Sequence, residues 1–440
     1  MLRDFSQTPK MYCLSASLLG IVSLLSVAVI TEAVNPVPYD KYPADAVQLR
    51  YAQEAIVKSS YHFTHSYLKV LAEIDRPKFV VSPTGIFLTL SMISYGVAGN
   101  LKYTFDYLLS RLPKSSYKIG CQDLVDDFAN YRGLNISNGF FVAPRVQLRP
   151  QFFDTIKRTF RSTVKKIDFI KRDKANQMIS EWCAHQTGDE IKNFMKRVNP
   201  GDDACKRFSA MNTVSFSGTW SKKFNNADTQ LRTFYSSSGV NKKLPTMSVS
   251  GLFRYGDYSE ATFVELPFES NSDRAHNMSM FIILPKDITL FKRSIPRILL
   301  RRLKKESVLR EIYIELPKFK IALASGLTEP FKRMNLSSLF DRDTADFSCG
   351  VISPARGAVF NSVIKQFNAI HVTEGGVEAV STIGCGSGHL REPSQGNTTD
   401  RGAGSEADGL QRFIANRQFY AIITPTDKNA INFFTVQFDA

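Results

Sequence analysis

Tryptophan is scarce, with two residues in a chain of 440, and no two cysteines stand at the C-x-x-C spacing. The missing spacing leaves a zinc ribbon or a thioredoxin-type redox motif without support. Also missing are the G-x-S-x-G nucleophile elbow, the H-E-x-x-H zinc helix and the glycine-rich phosphate loop that ends in Lys-Ser/Thr. Without them the common secreted hydrolases and nucleotide enzymes lose their usual signatures. No internal repeat and no Pro/Gly/Ser-rich linker divides the chain. Beyond residue 33 no segment is long and apolar enough to span a bilayer.

What is present is globular: 43% hydrophobic and 22% charged residues, with 33 phenylalanines, enough for a sizeable core. Arg3 and Lys10, the apolar run from Tyr12 to Ile30 and the small-x-small Thr31–Glu32–Ala33 read as a signal peptide over residues 1–33, with an uncleaved anchor as the alternative. Residues 34–440 then form one domain, and the chain is expected to be secreted and extracellular. Four N-glycosylation sequons fit that expectation, at Asn135, Asn277, Asn335 and Asn397. Asn397 lies in a polar loop, whereas Asn277 abuts an apolar run and is expected to be partly hidden. Past the leader remain Cys121, Cys183, Cys205, Cys349 and Cys385, an odd number that leaves at least one unpaired.

The formal charge of +15 survives removal of residues 1–33, because Arg3 and Lys10 leave together with Asp4 and Glu32. A basic secreted protein has polyanions among its expected partners, and nothing points to nucleic acid. The densest basic run is Lys292, Arg293, Arg297, Arg301, Arg302, Lys304 and Lys305, either a glycosaminoglycan site or a solvated helix face.

Helical periodicity covers residues 45–75, the segment after Ser82–Pro83, Arg149–Phe160 and Ala175–Met195. Asn138–Val142 reads as a strand, and strands dominate from about residue 209: Val264–Phe268, Met280–Pro285, Ile312–Phe319 and Asn432–Phe438. Helices early and strands late give an α+β class with large antiparallel sheets. One stretch stands apart. In Glu374–Gly375–Gly376–Val377–Glu378–Ala379–Val380–Ser381–Thr382, one face at period two is small and uncharged and the other carries Glu378. Loop composition follows, from Gly384 to beyond Gly404, so this strand has the makings of two states.

Candidate chemistry among the remaining residues is thin. His62 and His65 could share a helical face but have no acidic ligands near them in sequence. Gly384–Cys385–Gly386–Ser387–Gly388 resembles a phosphate cradle only in composition, and Cys385 with His389 lacks the held geometry that thiol catalysis needs. No catalytic residue, metal ligand set or cofactor is assigned.

Several segments together resemble one family, the serpins. They are Phe79–Val–Val–Ser–Pro83 with Gly96–Val–Ala–Gly99, Asn138–Val142 with Leu148–Phe152, and Met211–Asn–Thr–Val–Ser–Phe–Ser–Gly–Thr–Trp220. Phe253–Tyr255, Val264–Phe268, Met280–Pro285, Leu316–Phe319, Leu339–Phe340, Ala345–Asp346 and Phe413–Phe419 follow in the family's order. The resemblance spans residues 45–440. It implies about nine helices around three mostly antiparallel sheets, with an exposed reactive-centre loop over about residues 374–412. In inhibitory members a serine protease attacks the loop as bait and forms an acyl-enzyme. The cut loop then enters the central sheet as a new strand and distorts the protease. Such a protein is not an enzyme but a serine-endopeptidase inhibitor, expected here as a monomer. The alternative is a serpin fold without inhibitory activity, serving as a binding, carrier or storage protein.

The resemblance places Glu374–Thr382 at the loop's hinge. It pairs Trp220 with Glu374 at the breach, the top of the central sheet, and leaves Ser82 in the shutter beneath it. The inward set on insertion is Val377, Ala379, Ser381, Ile383, Cys385 and Ser387, none of them charged, with Glu378 outward. Counting from the hinge puts the cut at Leu390–Arg391, which suits a chymotrypsin-like protease, or a trypsin-like one if Arg391 takes the specificity position. Counting back from Phe419 gives Ala407 instead, 17 residues further on, so the loop is unusually long. The chain also departs from the family pattern at Lys78, Gly85, Gln366, Gln418 and Thr435.

Overall fold

The computed structural model describes residues 44–74, 78–110, 114–187, 208–270, 276–289, 291–292, 307–341, 343–352, 364–384, 410–426 and 431–440. By compactness the chain divides between Val47 and Gln48, and the second unit, Gln48–Ala440, holds everything described below except the first turn of α1.

Among the described residues there are seven α-helices and three sheets. The helices are α1 (Ala44–Ile74), α2 (Pro83–Ser94), α3 (Gly99–Leu108), α4 (Lys114–Asp127), α5 (Pro150–Asp154), α6 (Arg172–Thr187) and α7 (Thr328–Arg333). The periodicity over Arg149–Phe160 is realised as α5 followed by a π-helical turn, Thr155–Thr159. α2 is apolar all round, and each of its twelve residues is buried. It starts where it does because Ser82 caps it: the Ser82 side-chain oxygen accepts from the Gly85 amide at 3.2 Å, and Pro83 supplies a first-turn residue with no N–H to satisfy.

The six-stranded sheet runs in the order β11 (Phe319–Gly326), β13 (Lys365–Val372), β14 (Gly376–Gly384), β5 (Phe208–Thr219), β2 (Leu134–Val142) and β4 (Thr163–Lys166). A nine-stranded sheet is built from β1 (Phe79–Val81), β6 (Gln230–Tyr235), β7 (Asn241–Asp257), β8 (Ala261–Pro267), β9 (Met278–Pro285), β10 (Val308–Pro317), β15 (Gln411–Ile414), β16 (Phe419–Pro425) and β17 (Phe434–Phe438). The third sheet is a two-stranded pair, β3 (Gln147–Leu148) with β12 (Val351–Ile352). Ile312–Phe319, expected as one alternating strand, is two: β10 ends at Pro317, and Phe319 begins β11 in the other sheet. A proline that cannot donate to a ladder marks the break.

The main core lies between the two large sheets and the buried helices, with Phe63, Phe87, Phe140, Phe263, Phe281 and Phe434 among its side chains. A smaller apolar cluster fills the space under α6, where Trp182, Cys183 and Ile179 meet Phe141, Met211, Phe367 and Val380. The six-stranded sheet is therefore covered on both faces near α6, which explains why its middle strands read as apolar on both sides. No helix among the described residues is long and apolar enough to cross a membrane.

Candidate functional site

The hinge segment forms β14, an interior strand. It is paired antiparallel with β13 from Val372↔Val377 to Lys365↔Gly384, and with β5 from Thr219↔Gly376 to Asn212↔Ile383. Val377, Ala379, Ser381 and Ile383 are buried on one face. Glu378 is exposed on the other. On that outer face Val380 and Thr382 are also buried, Val380 within the α6 cluster, so the strand is buried on both sides once past Glu378. The sequence pattern gave the inner face. The cover over the outer face depends on α6, more than 190 positions earlier in the chain, and has no local signal.

At the head of β14 the chain is anchored by three backbone carbonyls. Trp220 Nε1 donates to the Thr373 carbonyl at 2.9 Å, the Trp220 amide to that of Gly375 at 3.1 Å, and the Phe224 amide to that of Glu374 at 3.1 Å. Trp220 is held in turn by Phe268, stacked at 4.8 Å between ring centroids, and by Phe224 edge-on at 6.2 Å. Gly376 is needed where it stands, because a Cβ there would run into the Gly218 carbonyl.

The Glu374 side chain, 10% exposed, takes a hydrogen bond from Thr229 Oγ1 at 2.8 Å and an ion pair from Lys318 Nζ at 2.9 Å. Burial works against its charge, but the bonds from Lys318, the backbone and Thr229 prevail and hold the carboxyl below its ordinary value. Trp220 and Glu374 thus lie side by side at the head of β14. Lys318 and Thr229 were missed; a lone lysine in the break between two strands was the available signal.

Beneath the middle of the sheet, Gln366 grips the turn into α2 at both ends of one peptide residue. It accepts from the Ser82 amide at 3.4 Å and donates to the Ser82 carbonyl at 3.2 Å, while Asn368 Nδ2 donates to Gln366 Oε1 at 3.3 Å. Nearby, Asn212 donates to Asn138 Oδ1 at 2.9 Å, and Asn138 to the Phe160 carbonyl at 2.7 Å. Gly85 makes this possible: a Cβ there would come 2.6 Å from Asn212 Oδ1. The departures at Gly85 and Gln366 therefore belong to a rebuilt polar cluster around Ser82. Ser381 of β14 stands opposite Asn368 on this side of the sheet, whereas Thr382 points to the outer face, and neither hydroxyl has a hydrogen-bond partner among the described residues.

Other expected positions fall as follows. Asn135, Asn277 and Asn335 are exposed. For Asn277 this corrects the expectation of partial shielding: the residue precedes β9, and burial begins with the strand, Ser279 being 0% exposed. Cys121 and Cys183 are buried, and Cys349 is exposed with no disulfide partner among the described residues. Leu390, Arg391, Asn397, Cys205, Cys385 and Ser387, and the basic run from Arg293 to Lys305, lie outside the described residues, as does the proposed leader. Of that run only Lys292 is described.

The Serpin (serine protease inhibitor) family matches residues 58–439. Human Serpin B3 is 25% identical over 77% of this chain and 79% of its own length. Serine protease inhibitor 42Dd of Drosophila melanogaster is 26% identical over 68% of this chain and 79% of its own. Among solved structures, cleaved Serpin 42Da superposes with a TM-score of 0.73 at 22% identity, covering 89% of this chain and 98% of that one. With a strand whose inner face is uncharged seated between β13 and β5, anchored beside Trp220, and the family match over most of its length, the chain belongs to the serpins.

Proposed function

We propose that the protein is a secreted serpin that traps a serine endopeptidase after attack on its loop near Leu390–Arg391. The observation that carries this reading is the fit of β14: nine residues enter the centre of a sheet without burying a charge, and Glu378, the one ionised side chain, faces solvent. An unpaired buried carboxylate would oppose insertion by several kcal/mol, on the order of the cost of desolvating a charge. Naming a relative a serine protease inhibitor supports the same reading. The leader-like residues 1–33 and the four sequons support secretion; Asn277 and Asn335 are exposed, while Asn135, also exposed, donates its Nδ2 to the Gln186 carbonyl.

The test is incubation of freshly purified protein with trypsin, chymotrypsin and elastase. An SDS-resistant covalent complex with one of them is expected, with the cut mapping to Leu390 or Arg391. Plain cleavage with no gain in thermal stability would overturn the reading in favour of a non-inhibitory binding or carrier role. Polyanion binding through Lys292–Lys305 is a separate proposal. Retention on heparin should fall steeply with salt and disappear when Arg297, Arg301, Arg302, Lys304 and Lys305 are changed to alanine.

A further inference from the structure

A cleft of about 330 Å³ opens where the start of β2 and the end of β5 meet the segments that leave β8 and enter β9. Arg132, Phe216, Gly218, Phe268, Glu269 and His276 are among the residues that line it. Small-molecule sites run from about 300 to 1,000 Å³, so this one suits one or two fused rings rather than a peptide.

Its floor is aromatic. Phe216 stands edge-on to Phe268 at 4.8 Å between ring centroids, and Phe268 is stacked on Trp220 at the same distance. Gly218 lets the two phenylalanines close up: a Cβ there would come 2.6 Å from the Phe216 ring and 2.7 Å from that of Phe268. A flat apolar ring set against such a pair gains both buried area and the edge-to-face attraction of aromatic groups.

The rim has one charge left over. Glu269 is paired with Lys223 Nζ at 3.6 Å. His276 Nε2 meets Asp127 Oδ1 at 3.1 Å, and its ring is stacked on Tyr131 at 4.7 Å. The neighbouring Asp126 is taken by Arg161 through two bonds of 2.8 Å. Arg132 is exposed and has no acidic partner among the described residues. A guanidinium is planar and takes a carboxylate through two parallel N–H···O bonds.

We propose that this cleft binds a small aromatic carboxylate, its ring laid on Phe216 and Phe268 and its carboxylate forked on Arg132. The site uses neither the reactive loop nor a protease, so it stands whether or not the protein inhibits one.

Calorimetric titration with 2-naphthoate, and with uncharged 2-naphthalenemethanol as its match in shape, tests both ends of the site. 2-Naphthoate should bind, and the alcohol should bind about tenfold more weakly for want of the charge-assisted pair. Arg132→Gln, a change at an exposed position, should cost 2-naphthoate the same factor and leave the alcohol as it was. Wild-type protein gives a check that needs no variant: bound 2-naphthoate should slow amide exchange in 216–219 and 276–278. Absence of binding at millimolar 2-naphthoate, equal affinity for the two probes, or unchanged 2-naphthoate affinity in Arg132→Gln would each overturn the proposal. So would protection that falls instead around Leu68, Phe79 and Tyr420, where a far smaller apolar cavity lies.

Discussion

At the residue scale, Glu374 is the side chain whose charge matters most. Its carboxyl is held below the ordinary value of 4.5, so the stabilisation it gives is complete above that pH and is lost as pH falls through the lower, folded-state value. Glu374→Gln should lower the stability of the inserted form at neutral pH by about 1–2 kcal/mol, an amount limited by the partly solvent-facing Lys318. Denaturant midpoints of the two proteins should converge only as pH falls below the lowered folded-state value, where Glu374 is protonated and wild type and variant carry the same charge. Thr382 makes the opposite case. Its hydroxyl is buried with no partner among the described residues, so Thr382→Val should be neutral or stabilising by up to about 1 kcal/mol in urea denaturation of the inserted form. A loss of that size instead would mean that the hydroxyl is satisfied in solution.

At the scale of the element, β14 is a strand with two different walls. Its inner wall follows from alternation and was legible: small, uncharged side chains at every second position. Its outer wall is made by α6, where Trp182 stands edge-on to Phe141 at 5.4 Å and Val380 fills the same cluster. Period-two reading assigns Val380 and Glu378 to one face but does not say where along that face the helix begins to cover. The contrast is testable. Val380→Glu should drive β14 out of the sheet and lower the thermal midpoint sharply, since it sets a carboxylate under α6. Glu378→Ala, two residues away on the same face, should leave the midpoint nearly unchanged. Equal effects would mean that α6 does not cap the strand.

At the scale of the whole molecule, the α+β class and the order of helices and strands were readable because amphipathic periods and proline stops are local. The pairing of the sheet was not, since β14 lies between β13, its neighbour in sequence, and β5, more than 150 positions away. The polar cluster depends on distant pairing in the same way. Gly85 and Gln366 look like losses when compared one at a time. In the fold the missing Cβ of the first gives room to Asn212, while the carboxamide of the second clasps the Ser82 peptide. Compensation between distant positions appears only once the chain is closed.

The scarcity of tryptophan has an optical consequence. Trp220 bonds to the chain at the entrance of β14, and Trp182 sits over its middle in the same cluster as Val380, both all but sealed from water. With no third indole in the chain to dilute the signal, the protein's own emission spectrum monitors the strand. Withdrawal of β14 should wet both rings and shift their fluorescence to the red, and its return should reverse the shift. The seating of β14 between β13 and β5 could then be followed in a cuvette, in unmodified protein, from the moment of refolding.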